Sequence, residues 1–360
     1  MGDAYEKVKN FSALHIKKEK KMFKEYCHIE NSYQEKLINY LMFNCAANMK
    51  CVCTVKIDGS NFQVGVDEND NVWFGSRNRE IQPNEDFQNW QRPIERMNVV
   101  SKIRQIKAEL GAKTVLIYGE LCGGLYRHPE VAAVKDAVRI QGRIDYSPDN
   151  QWIVFDALVD DKYMNQLQLQ ELCKRYELPF VGIKFIGTLD ECLRFPCEFN
   201  DTTGHDLWGL PIIENNTAEG VVIKSVEDVR LPNGSRVIVK NKTPKYKERI
   251  RETKKNSQPG VNELEAEWLA KFEEYFTESR VYSVVSKLGS KFDFGTLMKG
   301  FVHDVITDFR EDYKDELVPL ENSMDPKDFS FDKIVKFATK NAVQTVRPVW
   351  LKVMADVDIK

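Results

Sequence analysis

A chain of 360 residues, 42% hydrophobic and 30% charged, exceeds one ordinary core and points to two domains of a soluble, globular, intracellular protein, expected to be a monomer. A formal charge of −3 argues against coating nucleic acid by bulk electrostatics. With no apolar run near the roughly 18 residues of a membrane span, no membrane partner is expected. Eight cysteines without a secretory start read as free thiols rather than as a disulfide framework.

The start carries Asp3 and Glu6 and no Arg before Lys24, unlike a mitochondrial presequence, and lacks the apolar core of a signal peptide. Glu6 stands where myristoylation needs Ser or Thr. Lys17-Lys18-Glu19-Lys20-Lys21 reads as a solvated segment, and His15, His28 and His303 are scattered and read as structural. Cys51 and Cys53 form a C-x-C in an apolar strand, with no second Cys or His pair at the spacing zinc needs. Lys56-Ile57-Asp58-Gly59-Ser60-Asn61 then places an amine at a strand end, before a Gly turn and a second strand. Two readings stand at this point. One is an ordinary Asp-Gly hairpin with a flanking Lys. The other is a nucleophile, which requires burial or neighbouring cations to lower a pKa of roughly 10.4.

Five further segments follow in order: Ser76-Arg77, Ile117-Tyr118-Gly119-Glu120, Val154-Phe155-Asp156, Ala218-Glu219-Gly220-Val221-Val222-Ile223-Lys224, and Val239-Lys240-Asn241-Lys242. Each sets one or two charged residues at the end of a β-branched or aromatic run, the way a buried strand presents a polar group to a cleft. Turn signals such as Asp67-Glu68-Asn69-Asp70-Asn71 and Pro232-Asn233-Gly234 make residues 50–250 mostly short strands, with a helical stretch near 160–178. Between 240 and 255 eight Lys or Arg face only Glu248 and Glu252, a local charge of +6. This is either a solvated linker flank or a surface for phosphates. Asn256-Ser257-Gln258-Pro259-Gly260 reads as a linker; beyond it Leu264, Trp268, Leu269, Phe272, Tyr275 and Phe276 fall at helical spacings, continued over 297–310 and 331–353.

This ordered set resembles the covalent nucleotidyltransferases, polynucleotide ligases and mRNA-capping enzymes with their Lys-x-x-Gly signature, and within them the RNA ligase 2 family of a phage RNA ligase and the trypanosome RNA-editing ligases. Met22-Phe23-Lys24-Glu25-Tyr26 with Ile29-Glu30-Asn31 is similar to that family's start, and Val346-Arg347-Pro348-Val349-Trp350 to its end. The resemblance implies an α+β fold: an N-terminal antiparallel-β nucleotidyltransferase domain of the ATP-grasp-like ligase type, then a small all-α domain where DNA ligases and capping enzymes attach a β-barrel. The expected division is an extension over 1–21, an adenylation domain over 22–255 and a helical domain over 256–360 that engages RNA.

The implied activity is an ATP-dependent RNA ligase joining 3′-hydroxyl and 5′-phosphate ends, with nicked duplex RNA as partner. Lys56 attacks the α-phosphate of ATP and holds AMP; the AMP passes to the RNA 5′-phosphate; the 3′-hydroxyl displaces it. Negative charge moves onto phosphoryl oxygens at every step, so cations aimed there matter most. Lys240 and Lys242, two apart on one face of a strand, suit α-phosphate contact and are expected to depress the Lys56 pKa by like-charge repulsion. Lys224 is a second-line cation. By resemblance Glu219 helps bind Mg²⁺ or Mn²⁺, Glu120 and Arg77 contact ribose and phosphate, Phe155 stacks on adenine, and Asn61 orients the AMP phosphate or the metal's water shell. Asp156 is open between a structural and a site role.

Two positions depart from the family pattern. Val55 stands where Glu commonly reads the adenine amino group, and Asp58 where this branch often has His. The alternatives are a capping-type guanylyltransferase, disfavoured by Asn61 where such enzymes commonly carry Arg, and a non-catalytic RNA-binding protein.

Overall fold

The computed structural model describes residues 23–247, 261–289 and 292–357. His15, the Lys17–Lys21 run, Met22, Arg249, Arg251, Lys254, Lys255, the 256–260 linker and Lys291 lie outside the described residues.

Strands β1 (Glu30–Asn31), β2 (Lys50–Val55), β3 (Ser60–Val66), β4 (Val72–Ser76), β5 (Glu80–Ile81), β6 (Val115–Leu125), β7 (Ser147–Val159), β8 (Lys162–Tyr163), β9 (Ile183–Thr188), β10 (Gly220–Ser225) and β11 (Ile238–Lys242) build two sheets. One runs β1-β11-β10-β2-β9 and the other β5-β4-β3-β6-β7-β8. Pairing is antiparallel throughout except that the two-residue β1 lies parallel to β11, Asn31 opposite Lys240. Helices α1 (Glu35–Asn44), α2 (Gln91–Arg96), α3 (Val99–Leu110), α4 (Gln166–Arg175), α5 (Leu189–Arg194) and α6 (Thr203–Trp208) back the sheets, and α7 (Glu263–Glu273), α8 (Glu278–Leu288), α9 (Phe294–Asp312), α10 (Lys314–Ser323) and α11 (Phe331–Val357) form the helical C-terminal part.

Three cores follow from the apolar patterns. In α3, Val99, Ile103 and Ile106 fall on one face and pack on the six-stranded sheet with Phe62, Val64 and Trp152. Cys51 and Cys53 of β2, two apart on one face, meet Leu41 of α1 and Cys192 of α5 behind the five-stranded sheet. In the helical part Trp268, Phe272, Phe301, Phe309, Val346 and Val349 are buried together. A fourth, smaller layer of Tyr26, Trp73, Tyr118, Leu158 and Ile238 lies between the two sheets and floors the cleft.

The α+β fold expected from the sequence is observed, antiparallel sheets in the N-terminal part and helices in the C-terminal part, with differences of detail. The helical stretch expected over 160–178 is a turn with positive φ at Asp160 and Asp161, then β8, then α4. Helices α2 and α3 were not foreseen. Glu120 and Phe155 were expected at strand ends but lie inside β6 and β7. The reason is visible in the register: Tyr118 pairs with Asp156 and Gly119 with Val154, so Phe155 is an extra, bulged residue. A bulge breaks the period of two. It lets Phe155 and Asp156 both reach the other sheet, where Lys224 Nζ meets the Phe155 carbonyl at 2.6 Å and the Asp156 carboxylate at 3.5 Å. Among the described residues no helix is long and apolar enough to cross a membrane.

Candidate active site

The site is assembled around Gly220. On β2–β10, Val55 pairs with Val221, and the Lys56 amide donates to the Gly220 carbonyl at 3.0 Å; on β10–β11, Gly220 pairs with Lys242. Lys56, Glu219 and Lys242 are therefore brought together by strand register, although far apart in sequence. Gly220 has φ of +143°, with an Asn241 carbonyl 2.1 Å from where a Cβ would stand, so only glycine fits this crossing. Gly59 has the same close fit: a Cβ there would lie 2.2 Å from the Leu121 carbonyl. That packing is the physical content of the Lys-x-x-Gly spacing, since the turn after Lys56 must press against β6.

Glu219 is the electrostatic centre. Its Oε2 accepts from Lys56 Nζ at 2.8 Å and its Oε1 faces Lys242 Nζ at 3.0 Å. Burial works to raise its pKa, but Lys56, Lys242 and Arg143 outweigh it and hold the carboxyl down to about 2. The bare like-charge contact expected between Lys56 and Lys242 is thus replaced by a bridge through Glu219. Glu120 behaves oppositely. Burial, only partly offset by Lys56, pushes its carboxyl up to about 8, so it is a neutral acid at pH 7. Lys224 is 1% exposed, and burial, opposed by Asp156, lowers it to about 8.

These residues line one cleft of about 420 Å³, together with Asn61, Arg77, Phe155 and Lys240. Asn61 Oδ1 is buried and has no hydrogen-bond partner among the described residues. Arg77 is half-buried, its Nη2 3.2 Å from His28 Nδ1. Every site residue singled out from the sequence borders this cleft. Asp156 instead sits beneath it: it is fully buried, accepts from Tyr26 Oη and Arg236 Nη1 at 2.8 Å each and from Gln166 at 3.0 Å, and so fixes the floor.

Residues 49–242, more than half of the chain, match the RNA ligase family. The chain belongs to that family. Residues 259–327 match the family described as T4 RNA ligase 2 C-terminal, which places this ligase-family chain in the RNA ligase 2 branch. A curated relative, the mitochondrial RNA-editing ligase 2 of Trypanosoma brucei brucei, is 27% identical over 229 residues, 56% of this chain and 55% of the relative. The chain thus spans little more than half of that protein's length. Among solved structures, a Naegleria gruberi RNA ligase with ATP and Mn is 19% identical with a TM-score of 0.45, over 62% of this chain and 57% of that one. The same ligase with PPi gives 19% and 0.44 over the same shares.

Sequence spacing did not reveal several residues at the cleft. Arg143, in the loop before β7, binds the Asp58 carboxylate with two nitrogens, Nε to Oδ2 at 2.8 Å and Nη2 to Oδ1. The Tyr246 and Tyr282 rings flank its guanidinium at 4.9 and 4.7 Å. From α8, Ser279, Ser283, Ser286 and Lys287 also border the cleft. An Asp-to-Arg pair 85 positions apart carries no local signal. The α8 residues did offer one: Ser279, Ser283 and Ser286 fall at helical spacing opposite Val281, Val284 and Val285, a serine stripe facing away from the valine side of the helix.

Proposed function

We propose that this chain is an ATP-dependent RNA ligase that joins 3′-hydroxyl and 5′-phosphate RNA ends through a Lys56–AMP intermediate. The observation that carries this reading is Lys56 Nζ held 2.8 Å from a Glu219 carboxylate that also faces Lys242, inside a family-matched cleft of nucleotide size. In the first step a Lys56 N–P bond forms and the bond from the α-phosphorus to pyrophosphate breaks. Glu219, its carboxyl held well below the usual carboxylate range by Lys56, Lys242 and Arg143, is a weak base; it orients Nζ, and the proton leaves with solvent or pyrophosphate. Lys240 and Lys242 meet the charge that builds on the phosphoryl oxygens. Neutral Glu120 both donates and accepts, which suits a ribose hydroxyl. Phe155 with Ile57, Val181 and Val222 offers the base an apolar slot.

Among the described residues no three Asp, Glu, His or Cys side chains group to hold a metal. Glu219 and the orphaned Asn61 Oδ1 are hard oxygen donors, and so few protein ligands fit Mg²⁺ or Mn²⁺, which keep waters and phosphate oxygens in their shell. Such an ion would neutralise phosphoryl charge. The division of labour follows the same reading: nucleotidyl transfer in residues 22–255, RNA engagement in 256–360, with Lys287 and Lys299 exposed or half-buried on α8 and α9 to meet backbone phosphates of a nicked duplex.

Incubating the protein and Lys56→Ala with α-labelled ATP or GTP tests the proposal. Adenylate on the parent chain alone is expected. Guanylate would mark a capping-type enzyme, and no label on a folded parent protein would end the assignment.

A further inference from the structure

The turn after Lys56 is held by both halves of the molecule. Asp58 is 4% exposed; its amide donates to Tyr146 Oη at 2.8 Å and its carboxylate binds Arg143. The Gly59 carbonyl accepts from Ser286 Oγ at 2.7 Å, and Ser60 Oγ lies 3.0 Å from the same hydroxyl. Gln141 Nε2 donates to the Tyr282 carbonyl at 3.1 Å. Arg143 lies over one ring from the β-rich part, Tyr246, and one from α8, Tyr282, and its side chain is 15% exposed. Tyr282 and Ser286 stand one helical turn apart, so a single face of α8 supplies both contacts.

We propose that Arg143 is a positioning residue which couples docking of α8 to the setting of the Lys56 nucleophile, so that the helical part acts in adenylate formation and not only in RNA engagement. The inference rests on Lys56 being the nucleophile. Its physics is direct. A bidentate guanidinium–carboxylate pair is strong when it is shielded from water, as this one is. Withdrawing Tyr282 removes one of the two rings that cover the guanidinium, and an exposed pair contributes little. The same withdrawal removes the hydrogen bond from Ser286 to Gly59. Asp58 and Gly59 are then held by the Asp58 amide bond to Tyr146, a weakened Arg143 pair and the Gln141 Nε2 contact to the Gly59 carbonyl at 3.5 Å, two and three residues from the amine that must stand in line with the α-phosphorus. Gly59 has no slack toward β6, where the Leu121 carbonyl already closes the space, so the freed turn moves away from β6 and carries Lys56 with it.

The test uses full-length Tyr282→Leu, which keeps an apolar side chain in a buried position but has no π face, and Tyr282→Phe, which keeps the face. Two readouts are taken: the rate of Lys56 adenylation against ATP concentration, and amide hydrogen exchange over residues 57–60. Tyr282→Leu should lower the maximal labelling rate by about tenfold or more, the scale of a desolvated cation–π contact. The half-saturating ATP concentration should hold within about twofold. Exchange over 57–60 should quicken while exchange in β3 and β6 stays slow, and Tyr282→Phe should restore both. Unchanged exchange over 57–60 in a folded Tyr282→Leu protein would overturn the coupling, as would an unchanged maximal rate. If the parent chain takes no adenylate, the ligase reading fails on its own, and the exchange data still decide whether α8 governs the turn. Should Tyr282→Leu not fold, Arg143→Lys serves: it keeps the charge, loses the fork and the stacking plane, and should give the same slowed labelling and quickened exchange.

Discussion

Lys242→Met is the most discriminating single change in the cleft, because it removes one ammonium and keeps most of the buried stem. Lys242 is 7% exposed and its Nζ lies 3.0 Å from Glu219 Oε1. Stripping one partner from a buried ion pair costs about 3–5 kcal/mol when the other charge is left alone. Glu219 is not left alone, since Lys56 Nζ remains at 2.8 Å on its other oxygen. The stability loss should therefore stay nearer that of one charged hydrogen bond, about 1.5–3 kcal/mol. The catalytic loss should be larger, because a preorganised donor to developing phosphoryl charge is worth on the order of 3 kcal/mol, or about a hundredfold or more in rate. Single-turnover adenylation and sealing of pre-adenylated RNA, each followed on a gel, read the rate; urea unfolding reads the stability. A labelling rate within about threefold of the parent, with the fold intact, would remove Lys242 from the transition state.

Lys56→Ala should abolish adenylation yet still seal pre-adenylated RNA, a step that needs the cations but not the amine; loss of both in a folded variant would count against Lys56 as nucleophile. Glu120 predicts a pH effect whose sign is fixed: its carboxyl is raised from 4.5 to about 8 in the fold, so the native state binds the extra proton and its stability falls as pH rises between those values. Glu120→Gln should flatten that decline in metal-free urea titrations at pH 5, 6.5 and 8, and an unchanged slope would rule Glu120 out as its source. Asp156→Asn should cost about 3–5 kcal/mol in urea unfolding by leaving Arg236 and Lys224 buried without their anion; a loss below about 1 kcal/mol would show that the floor is not held by that charge.

How far the sequence revealed the site depended on whether the information was local. Lys56, Lys240 and Lys242 were legible because strand alternation and a Gly turn are short-range signals, and Glu219 was legible because it opens an apolar strand. The bridge through Glu219 was not, because it depends on which strand lies beside which. Phe155 was assigned to the cleft for a reason the fold revises: a bulge aims it there, and a bulge leaves no mark in a run of Trp, Ile, Val and Phe. Helix α3 was missed although Val99, Ile103 and Ile106 have the right spacing. Arg143 had no signal at all, since its meaning lies in partners on a distant turn, a second loop and another helix.

The distribution of thiols has a practical consequence. All eight cysteines lie between Cys27 and Cys197, and Cys51, Cys53, Cys122, Cys173 and Cys192 are buried, whereas the helical part contains none. A thiol-specific reagent therefore senses opening of the β-rich part alone. Trp268, 3% exposed in the helical core, senses the other half through its fluorescence together with Trp350, although Trp73, Trp90, Trp152 and Trp208 of the β-rich part contribute to the same signal and must be replaced first. Followed side by side along a denaturant ramp, the two probes would tell whether the halves melt as one cooperative unit or in sequence, with no engineered label in either.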